Sequence, residues 1–255
     1  MSINKLINTE NHKVAIVEDT SERTAALARL SSLDLVTDSQ HSYRFTLRWI
    51  DNRLTLRDHA HKTPIDIAAE FTRGGILHRK KFGGGHGQPL ARAVKTKDQP
   101  TICDATAGFG KDAFIFASLG CEVILLEQSV VVHALLADAL ERAKVNPETE
   151  EVAQRMTLYH IDSTQLPEAW PQQQLPDVIY LDPMYPEGRR TAKKEIQTLR
   201  HLLDTPKNET TLLDAAKKTA KRVVVKRPGK APPLAEQIPS GSIASPKTRY
   251  DIYGT

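Results

Sequence analysis

The stretch Thr101-Ile-Cys-Asp-Ala-Thr-Ala-Gly-Phe-Gly-Lys-Asp112 decides the fold. It begins as an apolar strand, is expected to bend at Gly108 and Gly110, and continues as a helix pattern from Lys111. Strand and helix patterns alternate from here to the C-terminus, which is typical of a mostly parallel sheet. We therefore predict an α/β fold with a Rossmann-like sheet.

The turn between this strand and its helix is where nucleotide-like ligands dock in a doubly wound sheet. The third glycine of a dinucleotide fingerprint is missing after Gly110, and no Gly-Lys-Ser/Thr sequence marks a P-loop. The pattern fits S-adenosylmethionine (SAM), which has no pyrophosphate. We expect Glu127, at the end of the next strand, to bind the ribose hydroxyls, and Asp162, at the end of the third, to receive the adenine amino group. The alternative is that the glycines only make a tight turn.

A second motif, Asp182-Pro-Met-Tyr-Pro186, follows an apolar strand pattern. An exocyclic amine of a base is a poor nucleophile, because its lone pair is delocalised into the ring. The Asp182 carboxylate and the Pro183 carbonyl could accept its N–H groups, and Tyr185 could stack on a flipped base. The motif is typical of methyltransferases that modify such amines. The alternative is a proline-stabilised strand exit with a core tyrosine.

Composition and charge restrict the class of protein. The chain has 255 residues, 40% hydrophobic and 26% charged, as in an ordinary globular protein of one or two domains. Its net charge of +4 is a weak argument for a polyanion partner, but basic residues cluster near both motifs. We expect phosphate contacts from Arg79, Lys80, Lys81, Arg189, Arg190, Lys226 and Arg227. The alternative for each cluster is a solvated helix face.

The first part of the chain differs from the rest. Tyr43–Trp49 and Arg53–Arg57 alternate polar and apolar residues around an Asp51-Asn52 turn, which predicts a hairpin. We predict a small α+β domain over residues 1–75 and a methyltransferase domain over residues 76–255. Residues 78–87, which include three consecutive glycines, are expected to form a basic loop.

Several classes are excluded. Two cysteines without a Cys-x-x-Cys pair argue against a disulfide framework, and no histidine or carboxylate spacing indicates a metal site. No basic-then-apolar leader and no apolar run of membrane-spanning length is present. We expect a cytoplasmic monomer with no metal and no membrane partner.

Five segments together resemble the bacterial ribosomal RNA small-subunit methyltransferase J family. They are His78-Arg-Lys-Lys-Phe-Gly-Gly-Gly85, Asp104-Ala-Thr-Ala-Gly-Phe-Gly-Lys-Asp-Ala-Phe114, Tyr180-Leu-Asp-Pro-Met-Tyr-Pro186, Val223-Val-Val-Lys-Arg-Pro228 and Tyr250-Asp-Ile-Tyr253. The resemblance implies a class I SAM-dependent methyltransferase whose last strand is antiparallel. It further implies SAM as cofactor, methylation of the exocyclic N2 of a guanine in 16S rRNA, and 16S rRNA or the small ribosomal subunit as partner.

The resemblance also implies residue roles. Methyl transfer falls to Asp182, Pro183 and Tyr185. SAM binding falls to Asp104, Gly108, Gly110, Lys111, Asp112, Glu127, Gln128, Asp162, Ser163 and Asp182. Family members often carry arginine where this chain has Lys111 and Gln128. Two other functions remain open: an adenine-N6 methyltransferase acting on RNA or DNA, and a non-catalytic RNA-binding factor in ribosome assembly.

Overall fold

The structure is a computed structural model that describes residues 14–17, 24, 27, 34–36, 43–82, 84–183 and 208–254. The described residues fall into two compact units, one ending at Ala69 and the other beginning at Glu70. The division of the chain at residues 75 and 76 stays a prediction.

The first unit contains a five-stranded sheet in the order β2-β1-β3-β4-β5. Its strands are β1 (Val14–Val17), β2 (Asp34–Val36), β3 (Phe45–Ile50), β4 (Arg53–Asp58) and β5 (Ile65–Ile67). β1 runs parallel to β2 and β3, whereas β3, β4 and β5 form an antiparallel meander. The predicted hairpin is present: Asp51 and Asn52 adopt φ values of 48° and 58°, as a tight two-residue turn requires.

The second unit contains a seven-stranded sheet in the order β11-β12-β10-β9-β6-β7-β8. Its strands are β6 (Ile102–Asp104), β7 (Val123–Glu127), β8 (Met156–His160), β9 (Val178–Leu181), β10 (Arg222–Pro228), β11 (Gly241–Ala244) and β12 (Thr248–Gly254). Neighbours from β8 to β10 are parallel, and β12 is antiparallel to both β10 and β11. The predicted Rossmann-like sheet with an antiparallel last strand is confirmed. The strand order reverses between β6 and β9, and ligands bind beyond the strand ends at such a reversal.

The described helices of this unit flank the sheet. They are α1 (Gly75–Phe82), α2 (Pro89–Ala93), α3 (Lys111–Ser118), α4 (Val130–Lys144), α5 (Glu150–Gln154) and α6 (Glu209–Thr219). The α4 helix begins after Ser129, whose side chain caps it by accepting a hydrogen bond from the Val132 amide at 3.3 Å. No described helix is long and apolar enough to cross a membrane.

The expected loop over residues 78–87 was wrong in its first half. Residues 78–82 belong to α1, which ends at Phe82, and Gly85–Gly87 form a short 3-10 helix. Gly84 and Gly85 have φ values of 86° and 54°. Arginine and lysine are good helix formers, so only the glycines interrupt the segment.

The core of the second unit lies between the central strands and the helices. Every residue of β9 is buried, as expected for a central parallel strand. Cys103, Ile179, Leu181 and Leu213 belong to one apolar cluster beside this strand. Such packing holds the strand ends, and the polar side chains that follow them, in fixed positions.

Candidate functional site

The turn after β6 is bonded to the ends of neighbouring strands. Glu127, the last residue of β7, accepts a hydrogen bond from the Gly108 amide at 3.0 Å. Ser163, just beyond β8, donates its hydroxyl proton to the Ala105 carbonyl at 2.6 Å. Polar residues that are far apart in the sequence therefore meet around one turn.

A groove with about 260 Å³ of empty space, part of it open to solvent, lies along this edge of the sheet. Its lining residues are Ala105, Thr106, Leu126, Glu127, Gln128, Ile161, Asp162, Ser163, Thr164 and Leu212. Four residues predicted to bind SAM are among them: Glu127, Gln128, Asp162 and Ser163. The other predicted cofactor residues, outside this lining, are Asp104, Gly108, Gly110, Lys111, Asp112 and Asp182. The structure thus brings together the four residues that were predicted to bind the adenosine part of SAM.

Glu127 is one of the two acidic residues in the groove lining and is only 7% exposed. One carboxylate oxygen accepts from Gly108, and the other accepts from the Ser129 amide at 2.7 Å. A carboxylate oxygen has two acceptor positions, so each still has one left. Glu127 can therefore accept hydroxyl protons from a ligand while keeping both backbone contacts.

Asp162 is the second acidic residue of the groove lining. Its Oδ1 accepts hydrogen bonds from the Thr164 amide at 2.9 Å and from the Thr164 hydroxyl at 2.8 Å. These contacts cap the short 3-10 turn Ser163–Gln165. A ligand amine beside Asp162 would thus meet a carboxylate whose orientation is already set.

The two glycines of the turn do different things. A Cβ on Gly108 would stand in open space, with the Thr106 carbonyl oxygen nearest at 3.9 Å. A Cβ on Gly110 would lie 2.9 Å from Leu136 and 3.0 Å from Phe71. Gly108 therefore leaves the main chain open to a ligand, whereas Gly110 permits close packing of the turn on the core.

Thr106 joins the groove to the Asp182 motif. Thr106 lines the groove, and its hydroxyl oxygen accepts a hydrogen bond from the Asp182 amide at 2.6 Å. The Asp182 side chain is 41% exposed, whereas Pro183 is buried. The backbone of Asp182 is therefore hydrogen-bonded to a residue of the groove lining, and its carboxyl group has an accessible surface.

A cluster of charged side chains lies behind this point, centred on Asp112. Its Oδ1 accepts from the Arg79 guanidinium at 2.8 Å. Its Oδ2 accepts from the Tyr180 hydroxyl at 2.7 Å and from the Lys226 ammonium at 2.8 Å. Lys226 also donates to Oδ2 of Asp182 at 2.8 Å. Asp112 therefore serves here as the centre of a side-chain network.

The surroundings shift the acidity of these groups. Burial alone would raise the pKa of Asp112, but the positive charges of Lys226 and Arg79 outweigh it and lower that pKa to about 2. Burial and the neighbouring Asp112 charge raise the pKa of Asp104, which is 3% exposed, to about 8. Burial also raises the pKa of Asp182, although Lys226 opposes this. Asp112, which contacts two cations, is therefore the most acidic of these three carboxyls, and Asp104 is the one raised to about 8.

The predicted phosphate-binding residues differ in placement. Lys226 bridges two carboxylates, and Arg79 binds Asp112 with about a third of its side chain exposed. The Arg227 side chain is 2% exposed, and it donates to the Pro232 carbonyl at 3.1 Å and to Glu209 at 3.5 Å. The structure therefore gives Arg227 a buried position that does not suit an RNA contact.

Several predicted residues fall outside what the structure describes. These are Tyr185, Arg189 and Arg190, together with the side chains of Lys80 and Lys81. Lys111 lies exposed in the first turn of α3. Within the described ranges, no group of three or more histidine, cysteine or acidic side chains could hold a metal ion.

Sequence reasoning did not identify Thr106, Tyr180 or the bridging role of Lys226. A lysine that follows three buried valines in one strand is a signal, because lysine is almost never buried without a partner. The identity of that partner was not readable, since Asp182 and Asp112 lie in other elements.

The groove fits the adenosine part of SAM. Glu127 has acceptor positions that ribose hydroxyls could use, and the half-buried Gly108 beside it carries no side chain that would fill the space. Leu126, Ile161 and Leu212 supply apolar wall for a purine ring.

Comparison with known proteins gives the family. The family model described as "Putative SAM-dependent methyltransferase" matches residues 28–255. A ribosomal RNA small subunit methyltransferase J from Hydrogenovibrio crunogenus is 45% identical over 251 residues, covering 91% of this chain and 90% of the relative. Its namesake from Colwellia psychrerythraea is 47% identical over 192 residues, covering 73% of this chain and 70% of the relative.

A solved structure agrees with these matches. The crystal structure of a SAM-dependent methyltransferase from Neisseria gonorrhoeae superposes with a TM-score of 0.76 and 34% identity, covering 94% of this chain and 95% of that one. The resemblance seen in the motifs is confirmed over nearly the whole chain. The protein therefore belongs to the ribosomal RNA small subunit methyltransferase J family and is a SAM-dependent methyltransferase.

Proposed function

We propose that this protein methylates the exocyclic N2 amine of a guanine in 16S rRNA. The relatives' names point to ribosomal RNA of the small subunit. The observation that carries the proposal is the place of Asp182, whose amide is bonded to a residue that also lines the groove. A base amine held at Asp182 would therefore lie at the end of the cofactor site.

The cofactor would be held by residues of the groove. Glu127 would accept the ribose hydroxyl protons, and Asp162 with Ser163 would flank the adenine. When bound, SAM supplies an electrophilic methyl group on its sulfonium sulfur. Holding both reactants in one orientation can supply about 7–11 kcal/mol of barrier reduction, which accounts for most of the catalysis proposed here.

Asp182 and Pro183 would act on the target amine as acceptors. Oδ2 of Asp182 is held by Lys226, and Oδ1 accepts no hydrogen bond from the described part of the chain. Oδ1 and the Pro183 carbonyl can each accept a hydrogen bond from one N–H of the amine. These two bonds would orient the amine so that its nitrogen lone pair points at the methyl group and is less delocalised into the ring. Methylation makes the amine acidic, so its proton can leave without a strong base. Stacking of the base on Tyr185 remains part of the proposal.

The RNA itself would be held by basic side chains around the site. Arg79 keeps an exposed part beside Asp112, and Lys80, Lys81, Arg189 and Arg190 complete the proposed set. Ribosomal RNA and small subunits are cytoplasmic, so we propose that the protein acts there, as a monomer.

The two rival functions predict different products. An adenine-N6 methyltransferase uses a similar amine-holding turn but would form N6-methyladenosine. A non-catalytic assembly factor would need neither SAM nor Asp182. The exposed Asp182 carboxyl, on a residue whose amide is bonded to the groove residue Thr106, favours an enzyme.

Nucleoside analysis of 16S rRNA from cells lacking the protein tests the proposal. We expect one N2-methylguanosine to be lost, and to return on expression of the wild-type chain but not of the Asp182→Ala variant. The variant should still bind SAM with nearly unchanged affinity, since Asp182 is outside the groove lining. Loss of N6-methyladenosine instead, or full rescue by the variant, would contradict the proposal.

A further inference from the structure

Lys226 occupies an unusual place for a lysine. It lies in β10 after three buried valines and pairs across the sheet with Tyr250 of β12. Its side chain is only 26% exposed, and its ammonium group donates to Asp112 and Asp182 at 2.8 Å each. Two short charge-assisted hydrogen bonds fix the direction of the ammonium group.

Lys226 lies in a cluster of titratable side chains. The described groups that face it are Asp104, Asp112, Asp182, Tyr180, Tyr250, Arg79 and Arg227. Arg79 binds the opposite oxygen of Asp112, and the Arg227 guanidinium donates to Glu209 and to the Pro232 carbonyl. Among the described residues, Lys226 is thus the cation in direct contact with Asp182.

We propose that Lys226 is a positioning residue that holds Oδ2 of Asp182, so that Oδ1 faces the target amine. The inference rests on the proposed function of Asp182. Asp112 serves as the anchor on the other side, because it fixes the ammonium group that fixes Asp182. The sequence-based expectation that Lys226 binds an RNA phosphate is replaced by this internal role.

Removal of the ammonium group would change Asp182 in two ways. The carboxyl group would lose its fixed orientation. Its pKa would also rise further, because burial and the Asp112 charge raise that pKa and the opposing charge of Lys226 would be gone. A protonated carboxyl is a poorer acceptor for an N–H group. Turnover should therefore fall and need a higher pH, whereas RNA binding should change little.

A phosphate contact would behave differently. Loss of a lysine that binds a phosphate would raise KM for the RNA and make binding less dependent on salt. The two roles are therefore separated by the split between kcat and KM.

Kinetics of small-subunit methylation compare three variants with the wild type. For K226M we expect kcat to fall by roughly 10- to 100-fold, the range for a lost charge-assisted hydrogen bond, with KM and its salt dependence unchanged. The acid limb of the kcat profile should move to higher pH. K226R keeps the charge and should recover most of kcat. The control K217M removes an exposed lysine bonded to Gln237 and should leave both constants unchanged. A raised KM with unchanged kcat would overturn the proposal.

A second measurement reads the ion pair without turnover. Urea midpoints of K226M, D182N and the double variant form a double-mutant cycle in the free protein. We expect the double variant to lose less than the two single losses added together, because K226M leaves an uncompensated carboxylate that D182N removes. If K226M does not fold, recovery of folding in the double variant supports the pair. Additive losses would overturn the inference, whereas a wild-type chain inactive on rRNA would overturn only the proposed function.

Discussion

Asp112 accepts hydrogen bonds from side chains that reach it from three different elements. Arg79 comes from α1, Tyr180 from β9 and Lys226 from β10. The Asp112→Asn substitution keeps the shape of the side chain and removes its charge. The site would then retain two cations around a neutral amide.

The cost follows from the acidity of Asp112 in the folded chain. Its pKa falls from 3.8 to about 2, and each pH unit corresponds to ~1.4 kcal/mol. The ionised form therefore stabilises the fold by roughly 2.5 kcal/mol at neutral pH. The side chain is only 10% exposed, so solvent screening does little to reduce this value.

Urea unfolding at pH 7 measures the effect. With a denaturant slope of about 2–3 kcal/mol per molar, the midpoint of Asp112→Asn should fall by roughly 1 M. Because the pKa is depressed on folding, the advantage of the wild type is full above pH 3.8 and shrinks as the pH falls towards 2. Asp214→Asn, which alters a carboxylate bonded to Gln237, is the control and should cost less than about 0.5 kcal/mol. An unchanged midpoint, or a loss that does not depend on pH, would refute the reasoning.

Three further predictions concern the groove and the turn. Glu127→Ala should weaken SAM binding by about 1.5–3 kcal/mol in calorimetry, as expected for lost hydrogen bonds to a charged group, and an unchanged affinity would rule out its ribose role. Gly110→Ala should destabilise the chain by about 1–3 kcal/mol, because φ is +66° and the new Cβ would lie within 3.0 Å of two core side chains; Gly229→Ala, with its nearest atom at 3.8 Å, is the control. Asp104→Asn should flatten the pH dependence of stability between pH 5 and 8. The wild type loses up to ~1.4 kcal/mol per pH unit there, because a carboxyl with a raised pKa contributes stability that disappears as the pH rises towards 8. Equal slopes in both proteins would contradict it.

Local patterns in the sequence predicted much of the scaffold. A strand precedes Asp182, a helix begins at Lys111 and a hairpin turns at Asp51 and Asn52, all as predicted. These features depend on apolar periodicity and on turn residues within a few positions, which can be read along the chain. The helix α1 was not predicted, because the three consecutive glycines led to the expectation of a loop from residue 78. The helix in fact continues to Phe82.

The groove was predictable in part for a different reason. Parallel strands present their carboxyl ends at one edge, so Glu127 and Asp162 were expected to lie near the glycine turn. The hydrogen bond from the Gly108 amide to Glu127 shows how closely they approach. The link through Thr106 was not expected, because a threonine within a turn has no distinctive pattern.

The sequence by itself determined the family, the glycine turn and the alternation of strands and helices, because backbone sterics and apolar periodicity act over short distances. Only the tertiary structure decided what Lys226 does. Its partners Asp182 and Asp112 lie 44 and 114 residues away along the chain. Asp182 meets it because β10 lies beside β9, whereas Asp112 reaches it from the first turn of α3. From the sequence, a lysine in a basic run is expected to contact RNA. In the folded chain, Lys226 instead forms ion pairs with the two carboxylates that lie beside it.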